Sequence, residues 1–396
     1  MKVYSKGCLY RNRFAKKVLS FGLLLLLTMP LGGYADEEVS LFTKPTATPE
    51  PAVAEAAENV SPENAGGQES AANEAALQPD GSVLITISAG GDLTFGDDVR
   101  KGKKIFEEEL KRHHGDLSFV AQNVRDILQK DDLSIVNFET NLTTAPVYKK
   151  NNDYVFSAPL SYVEILHHFG IEAVSYENNH AMDHGTAGIE ETQKTLTEAG
   201  ITWSTEANPA VYETKGVRIG ILSYQTFNYH YRELRDIIPQ DIASMRQRSD
   251  IIIVSVHWGR EKDYVPNEVQ TEIGRLAVDA GADLVMGHHS HRINPIEEYN
   301  GKYIAYSLGN FCFSGNSNPS DMSSFILQVR FSVKDGQILQ QSFRIIPMRI
   351  SSKKSENDFI PTPYTEQRQI DTVINTLLSN SKKLPYAVKN YPLDWE

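Results

Sequence analysis

The sequence predicts an α/β protein built from two stacked sheets covered by helices, and three features carry that prediction. From residue 83 to about 200, strand-like and helix-like stretches alternate, as parallel βα units do. Beyond residue 210, strand pairs flank tight turns, above all Asn300-Gly301 and Asp335-Gly336, as antiparallel hairpins do. Between them, Ile251-Ile252-Ile253-Val254-Ser255-Val256 is too short and too continuously apolar for an amphipathic helix, so it reads as a buried strand.

Taken in order, Val83–Ile87 is a strand leading into Gly90-Gly91-Asp92. Helical periodicity covers Lys103–His113 and Phe119–Gln129, and the strand Leu133–Phe138 then delivers Glu139. Ala158–His168 reads as a helix capped by Ser157 and stopped by Gly170. The strand Ile171–Ser175 runs to Asn178-Asn179-His180, and the helix Gly188–Ala199 ends at Gly200. Val211–Glu213 and Val217–Ser223 form a hairpin around Lys215-Gly216. The run at 251–256 ends at His257. A helix follows over Pro266–Asp279, with Pro266 at a permitted first-turn position and Gly281 as its stop. A second apolar strand, Asp283–Met286, runs into Gly287-His288-His289-Ser290-His291. Glu298-Tyr299 pairs with Lys302–Ser307, and Phe325–Val333 with Gln337–Ile346. The polar tail from Ser351 carries one helix, Thr365–Leu378.

Composition narrows the function classes. The chain has 396 residues, 40% of them hydrophobic, enough for one core of roughly 250–300 residues plus extensions. Residues 1–17 carry six Lys or Arg and no acid, and the apolar segment Val18–Leu31 precedes Gly33-Tyr34-Ala35. That is the pattern of a secretory signal, with an uncleaved membrane anchor as the rival reading. The apolar core is shorter than the roughly 20 residues of a comfortable span, and Pro30 interrupts it. Residues 36–80 are rich in Ala, Glu and Pro with ten acids and one Lys, and they read as a disordered, self-repelling spacer. This gives four segments: 1–35 signal or anchor, 36–80 spacer, 81–350 folded domain and 351–396 C-terminal extension. Cys312 is the only cysteine beyond the apolar segment, so no internal disulfide is expected there. A net charge of −12 with no basic stripe argues against nucleic acid as a partner.

The polar residues at strand ends carry the chemistry. They are Asp92, Glu139, Asn179 with His180, His257, and His289 with His291. Carboxylates, imidazoles and an amide oxygen form the mixed N/O set that suits Mn, Fe or Zn rather than Ca. Taken singly, each has a plainer reading: a turn aspartate, a capping histidine, a packed core histidine. The His-x-His string is stronger, because residues i and i+2 of an extended segment share one face. Near the site, Arg260 is the expected partner for a substrate carboxylate or phosphate, with a surface ion pair to Glu261 or Asp263 as the plainer alternative. Glu261 and Tyr264 either face the substrate or line a solvated loop, and Asn310 either bonds a metal-bound water or orders His291.

Six strings then resemble one family in both residues and order. They are Gly91-Asp92, Asn137-Phe138-Glu139-Thr140-Asn141-Leu142-Thr143, Asn178-Asn179-His180-Ala181-Met182-Asp183, Val256-His257-Trp258-Gly259, Gly287-His288-His289-Ser290-His291 and Ser307-Leu308-Gly309-Asn310-Phe311. Over about residues 83–315 the chain is similar to the CapA-type poly-γ-glutamate capsule-synthesis family, itself similar to the calcineurin-like metallophosphoesterases. The resemblance implies a four-layer α/β/β/α sandwich, two mixed sheets flanked by helices, with a two-metal site between the sheets. It implies that Glu139 bridges the two ions. Asn179, His257 and His289 would complete one site, and Asp92 and His291 the other. His180, with Asn179, would act on the substrate as proton donor or charge stabiliser. One departure matters: the superfamily's first motif is Asp-x-His, and here the third residue is Thr94. The Asp92–His291 site is therefore expected to hold its ion more weakly, unless Asp97 or Asp98 supplies the missing ligand.

Three functions follow from this reading. The first is a metal-dependent hydrolase, exported to the extracellular face of the cell membrane or secreted, acting on an anionic phosphoester or polymer. The second is a non-catalytic capsule assembly or export component that binds the polymer alongside membrane-embedded synthesis proteins. It would touch the membrane only through its N-terminal segment. The third is a surface domain of the same ancestry that has lost its metals.

Overall fold

A computed structural model describes residues 77–395 apart from 101, 103, 149–153, 228 and 229. The expected signal or anchor and residues 36–76 of the expected spacer lie outside the described residues. Residues 77–80, assigned to the spacer, already belong to the fold, because Leu77 bridges Val83 and Gln78 N donates to Ser82 O at 2.7 Å.

The chain runs β1 (Val83–Thr94), α1 (Ile105–Arg112), β2 (Leu133–Phe138), α2 (Glu164–Phe169), β3 (Ala173–Ser175), α3 (Gly185–Glu198) and β4 (Thr202–Ser204). It continues β5 (Ala210–Thr214), β6 (Val217–Gln225), α4 (Tyr231–Arg246), β7 (Ile251–His257), α5 (Glu268–Ala280) and β8 (Leu284–His288). Then come β9 (Ile296–Tyr299), β10 (Lys302–Ala305), β11 (Asn310–Phe313), β12 (Ser323–Lys334), β13 (Gln337–Arg349), β14 (Thr362–Pro363) and α6 (Gln367–Asn380). One sheet of eight strands has the order β14-β13-β12-β1-β2-β3-β4, with β11 also paired to β1. The other has six strands in the order β9-β10-β8-β7-β6-β5. Both are mixed: β1, β2, β3 and β4 run parallel, as do β6, β7, β8 and β10, while the remaining edge strands are antiparallel.

Three apolar layers make this a four-layer sandwich. Ile85, Ile87, Leu133 and Ile135 of one sheet face Ile219, Ile251, Ile253 and Leu284 of the other. On the outer face of the first sheet, Val136 and Phe138 pack on Phe106, Phe169 and Leu196 of α1, α2 and α3. On the outer face of the second, Ile252, Val254 and Val256 pack on Ile238 and Ile242 of α4 and Ile273 and Ala277 of α5. Alternate residues of β7 therefore go to different layers, and both layers are dry. That is why the run at 251–256 is apolar throughout rather than alternating. Each large aliphatic side chain so buried contributes about 1.5–3 kcal/mol.

Several local expectations shift. The stretch 119–129 is not one helix but a 3-10 turn, Leu117–Ala121, and a four-residue α-turn, Arg125–Leu128. Asp116 starts the first piece by accepting from Ser118 N. Ser157 does not cap a helix: it lies in a short strand that pairs with Asp97, and Pro159 precedes the next helical turn. Pro266 stands before α5 rather than in its first turn; Asn267 and Gln270 form a reciprocal capping box there. Gly170 and Gly281 do stop their helices, at φ +80° and +113°. No helix was expected over Tyr231–Arg246, yet it forms around Pro239, held by Leu234, Ile238, Ile242 and Met245 on its buried face. The C-terminal segment is woven into the core: β14 pairs with β13, and Val373, Leu377, Val388 and Tyr391 join the layer between the sheets. Among the described residues no helix is long and apolar enough to cross a membrane.

Candidate metal centre

The carboxyl ends of β1, β2, β7 and β8 meet at one edge of the sandwich, and the expected ligands meet with them. Glu139, His257 and His289 bring donor atoms within 4.8 Å of one another, and so do Asp92, Glu139 and His291. Glu139 belongs to both triads. Its carboxylate lies 3.7 Å from His257 Nε2 and 3.8 Å from His180 Nε2.

Local bonds explain why these side chains sit where they do. Gly91 lets β1 approach the turn before β11, since a Cβ there would stand 2.0 Å from Gly309 O. Asp92 N donates to that same carbonyl at 2.9 Å. The Asp92 carboxylate accepts from Asn137 Nδ2 at 2.9 Å and from His289 N at 3.2 Å, and lies 3.1 Å from His291 Nδ1. Asn137 also lies 3.2 Å from His257 Nδ1, so one amide on β2 braces both halves of the site. His257 Nε2, on the other side of the ring, lies 2.8 Å from Asn179 Oδ1. Thr94, standing where an imidazole was expected, donates to Glu139 O at 3.1 Å and so fixes the shared residue instead. Asp97 and Asp98 do not replace the missing ligand: Asp97 accepts from Phe106 N and Asp98 from Arg100 N and Val155 N.

Electrostatics divide the site. Burial drives His289 down to about 3, aided by the charge of His291, and drives His257 well below the ordinary histidine value, aided by the neighbouring imidazoles. Burial also depresses His291, but the charge of Glu139 and the bond to Asp92 outweigh it and bring His291 up to about 9. Burial pushes Asp92 up, yet the His291 bond and charge hold it below the usual carboxylate value. Glu139, buried beside Asp92, is raised well above its ordinary value.

The residues present fit divalent ions. Both Glu139 oxygens and His289 Nδ1 are buried with no hydrogen-bond partner, an arrangement that is costly for a carboxylate unless a cation compensates it. Two imidazoles and a carboxylate in one triad, and two carboxylates and an imidazole in the other, match first-row transition ions.

The remaining expected residues divide. His180 Nδ1 meets Asp183 Oδ2 at 2.7 Å, which leaves Nε2 facing Glu139. Its backbone is held by Asn141 Nδ2, donating to His180 O at 2.8 Å. Asn310 Oδ1 accepts from His291 Nδ1 at 2.9 Å, so of the two roles considered it orders the ligand. His180, His291, Asn310 and Glu261 line one cleft of about 270 Å³, together with Lys262 and Arg292. Arg260 does not; it is exposed, and Arg292 is the guanidinium that lines the cleft. Tyr264 donates to Asp321 Oδ2 at 2.6 Å rather than facing the cleft. A larger cleft, about 640 Å³, opens beside Phe227, whose ring stands 4.6 Å from that of His289. Glu177, Glu206, Glu233 and Asp241 line it, which makes it a poor entrance for an anion. Sequence reasoning gave no role to Asn137, Asp183, Arg292 or Phe227; of these only Asp183, three residues after His180, left a readable signal.

Two stacked mixed sheets with helices outside, and two overlapping histidine–carboxylate triads at their common carboxyl edge, define an α/β/β/α sandwich protein with a candidate metal centre. Within that class, residues 86–315 match the family described as "Bacterial capsule synthesis protein PGA_cap", and the chain belongs to it. It is 30% identical over 250 residues to the "PGA biosynthesis protein CapA" of Bacillus subtilis, covering 58% of this chain and 63% of that one. It is 27% identical over 256 residues to the "Capsule biosynthesis protein CapA" of Bacillus anthracis, covering 58% and 60%. The chain thus spans about three-fifths of these two relatives. A "Probable polyglutamine synthesis accessory protein" of Mycobacterium tuberculosis is 24% identical over 367 residues, covering 78% of this chain and 94% of that one.

Proposed function

We propose that the protein is an exported, divalent-metal-dependent hydrolase of capsule synthesis, acting on an anionic phosphoester or polymer. The observation that carries this reading is Glu139, fully buried, with neither carboxylate oxygen bonded, shared by two ligand triads. Asn179, His257 and His289 with Glu139 would hold one ion, and Asp92, Glu139 and His291 the other. When bound, ions of the Mn, Fe or Zn kind supply Lewis acidity and acidify a bound water.

The chain's own residues supply the rest. Asp183 fixes the imidazole of His180, so His180 can hold or release a proton at Nε2, toward the cleft where a leaving group would lie. Lys262 and Arg292 give that cleft its cationic wall, and an anionic substrate would enter there rather than through the acidic cleft. The N-terminal segment would carry the protein to the extracellular face of the cell membrane, or release it there, as its single contact with the membrane, near membrane-embedded synthesis proteins. Nucleic acid is not a partner in this reading.

Two measurements test it. Purified full chain loaded with Mn should hydrolyse an aryl phosphate, and His180→Ala should lower the rate by roughly 10²–10⁴ with the ions retained. Cell fractionation should find the protein outside the cytoplasmic membrane. The second reading, a non-catalytic component beside the synthase, is favoured by the word "accessory" in the Mycobacterium relative's name. It wins if His257→Ala and His289→Ala stop polymer production while Asn179→Ala and His180→Ala leave it unchanged.

A further inference from the structure

His291 is delivered by a turn, not by a strand. β8 ends at His288, and His289 and His291 then take left-handed backbone angles, φ +85° and +51°, which side chains other than glycine rarely adopt. Something outside the sheet must hold them there. Part of the hold is local: Ser290 Oγ donates to Arg292 O at 2.8 Å, and Lys262 N donates to Ser290 O at 2.7 Å.

The other part is Arg292. Its Nη1 donates to the carbonyl of His291 itself at 2.7 Å, and its Nη2 donates to Ser320 Oγ at 2.9 Å. Its guanidinium lies 5.8 Å from the centre of the Tyr264 ring, with Nε 4.0 Å from Asp321 Oδ2. Asp321 also takes the hydroxyl of Tyr264, at 2.6 Å. One planar group, 7% exposed, therefore joins the ligand turn to two loops. The first follows His257 and carries Tyr264; the second carries Ser320 and forms a wall of the cleft. Among the described residues no guanidinium supports His257, which sits inside two parallel ladders.

We propose that Arg292 is the positioning residue of the Asp92–His291 half of the metal centre, setting how tightly that half holds its ion. This rests on the metal-centre reading above. A guanidinium beside a cation site should by charge alone weaken binding, so geometry and charge predict opposite results. If Arg292 works by geometry, Arg292→Met loosens the ion, and Arg292→Lys fails to restore it, because a lysine cannot bond the His291 carbonyl and Ser320 together in one plane.

The test uses purified full chain, stripped with chelator and titrated calorimetrically with Mn, with thermal melting measured without metal. The expected result is two ions in the parent and a roughly 10- to 100-fold loss of affinity for the weaker one in both Arg292→Met and Arg292→Lys. The tighter ion should stay within about twofold of the parent, since the Arg292 bond is made to the His291 carbonyl while His289 is held separately through its N–H to Asp92. Should Arg292→Met fail to fold, Ser320→Ala removes only the far anchor and should weaken the same ion severalfold. Unchanged or tighter binding of the weaker ion overturns the proposal alone. Equal loss at both ions with a lowered melting point also overturns it, by assigning Arg292 to general stability. A parent that takes up no divalent ion overturns both the proposal and the reading it rests on.

Discussion

His257 reaches the metal centre from the end of a seven-residue strand laddered on both sides, whereas His291 reaches it from a turn with two left-handed residues. Burial keeps His257 and His289 neutral, while Asp92 and Glu139 hold a second proton on His291. An ion must find neutral imidazole to bind. The His257 half therefore already offers two neutral imidazoles to an ion, whereas the His291 half must also give up the imidazolium proton and open the His291–Asp92 contact. The difference teaches that two triads of similar donors need not bind alike. On the proposed two-ion reading, backbone support and proton occupancy, as much as ligand type, would set their order, one tight ion and one labile.

The comparison fails most completely at the residue the halves share. Glu139→Ala should cost both ions and bring hydrolysis to background, measured by metal analysis after dialysis and by turnover of an aryl phosphate. Retention of either ion would show that Glu139 does not bridge. Next, His257→Ala should lose the tight ion, whereas His291→Ala should lose only the labile one. The reverse result in a metal titration would invert the assignment of halves.

The pH dependence sharpens the contrast. His291 is raised to about 9 without metal, so proton and ion compete below that value. The proton of Glu139 competes at both ions, so between pH 6 and 8 affinity for the labile ion should rise more steeply than that for the tight one, by about tenfold per pH unit. Equal slopes for both ions would sink the idea that protonation separates them. A smaller effect is expected at Gly91, where a methyl group would collide with the Gly309 carbonyl. Gly91→Ala should cost about 1–3 kcal/mol in chemical denaturation, with looser binding of the labile ion through Asp92.

The smallest effect belongs to the far end of the sheet, and it is a control. Asp131, before the amino end of β2, is raised to about 7 by burial despite its bonds to Ser88 and Ser134, with Glu172 adding to the rise. A carboxyl raised in the folded state favours the protonated fold. Its stabilisation is complete below about 4 and is lost as pH rises through about 7. Asp131→Asn should therefore raise stability at pH 8 by about 1–2 kcal/mol relative to its effect at pH 5, with both ion affinities unchanged. A change in metal binding there would mean that the two ends of the sandwich are coupled.

Much of the fold was readable because its signals are local. β7 announces itself by a β-branched run, and the edge hairpins by Asn300-Gly301 and Asp335-Gly336. The helix over Tyr231–Arg246 was hidden by Pro239, whose cost is outweighed only by packing on the second sheet. Arg260 looked like the guanidinium of the site because it follows His257 by three residues. The fold turns it to solvent and brings Arg292 to the cleft.

By itself the sequence determined which donors stand at strand ends, since residue type and periodicity are properties of a short stretch of chain. It also determined that Thr94 replaces an imidazole. Tertiary structure brought Glu139 into both triads, as the family resemblance implied, and alone decided that Asn137 braces Asp92 to His257 and that His291 keeps a second proton while His289 does not. Those facts depend on how two sheets stack and how deeply each group is buried, and distances between segments a hundred residues apart are written in no single segment.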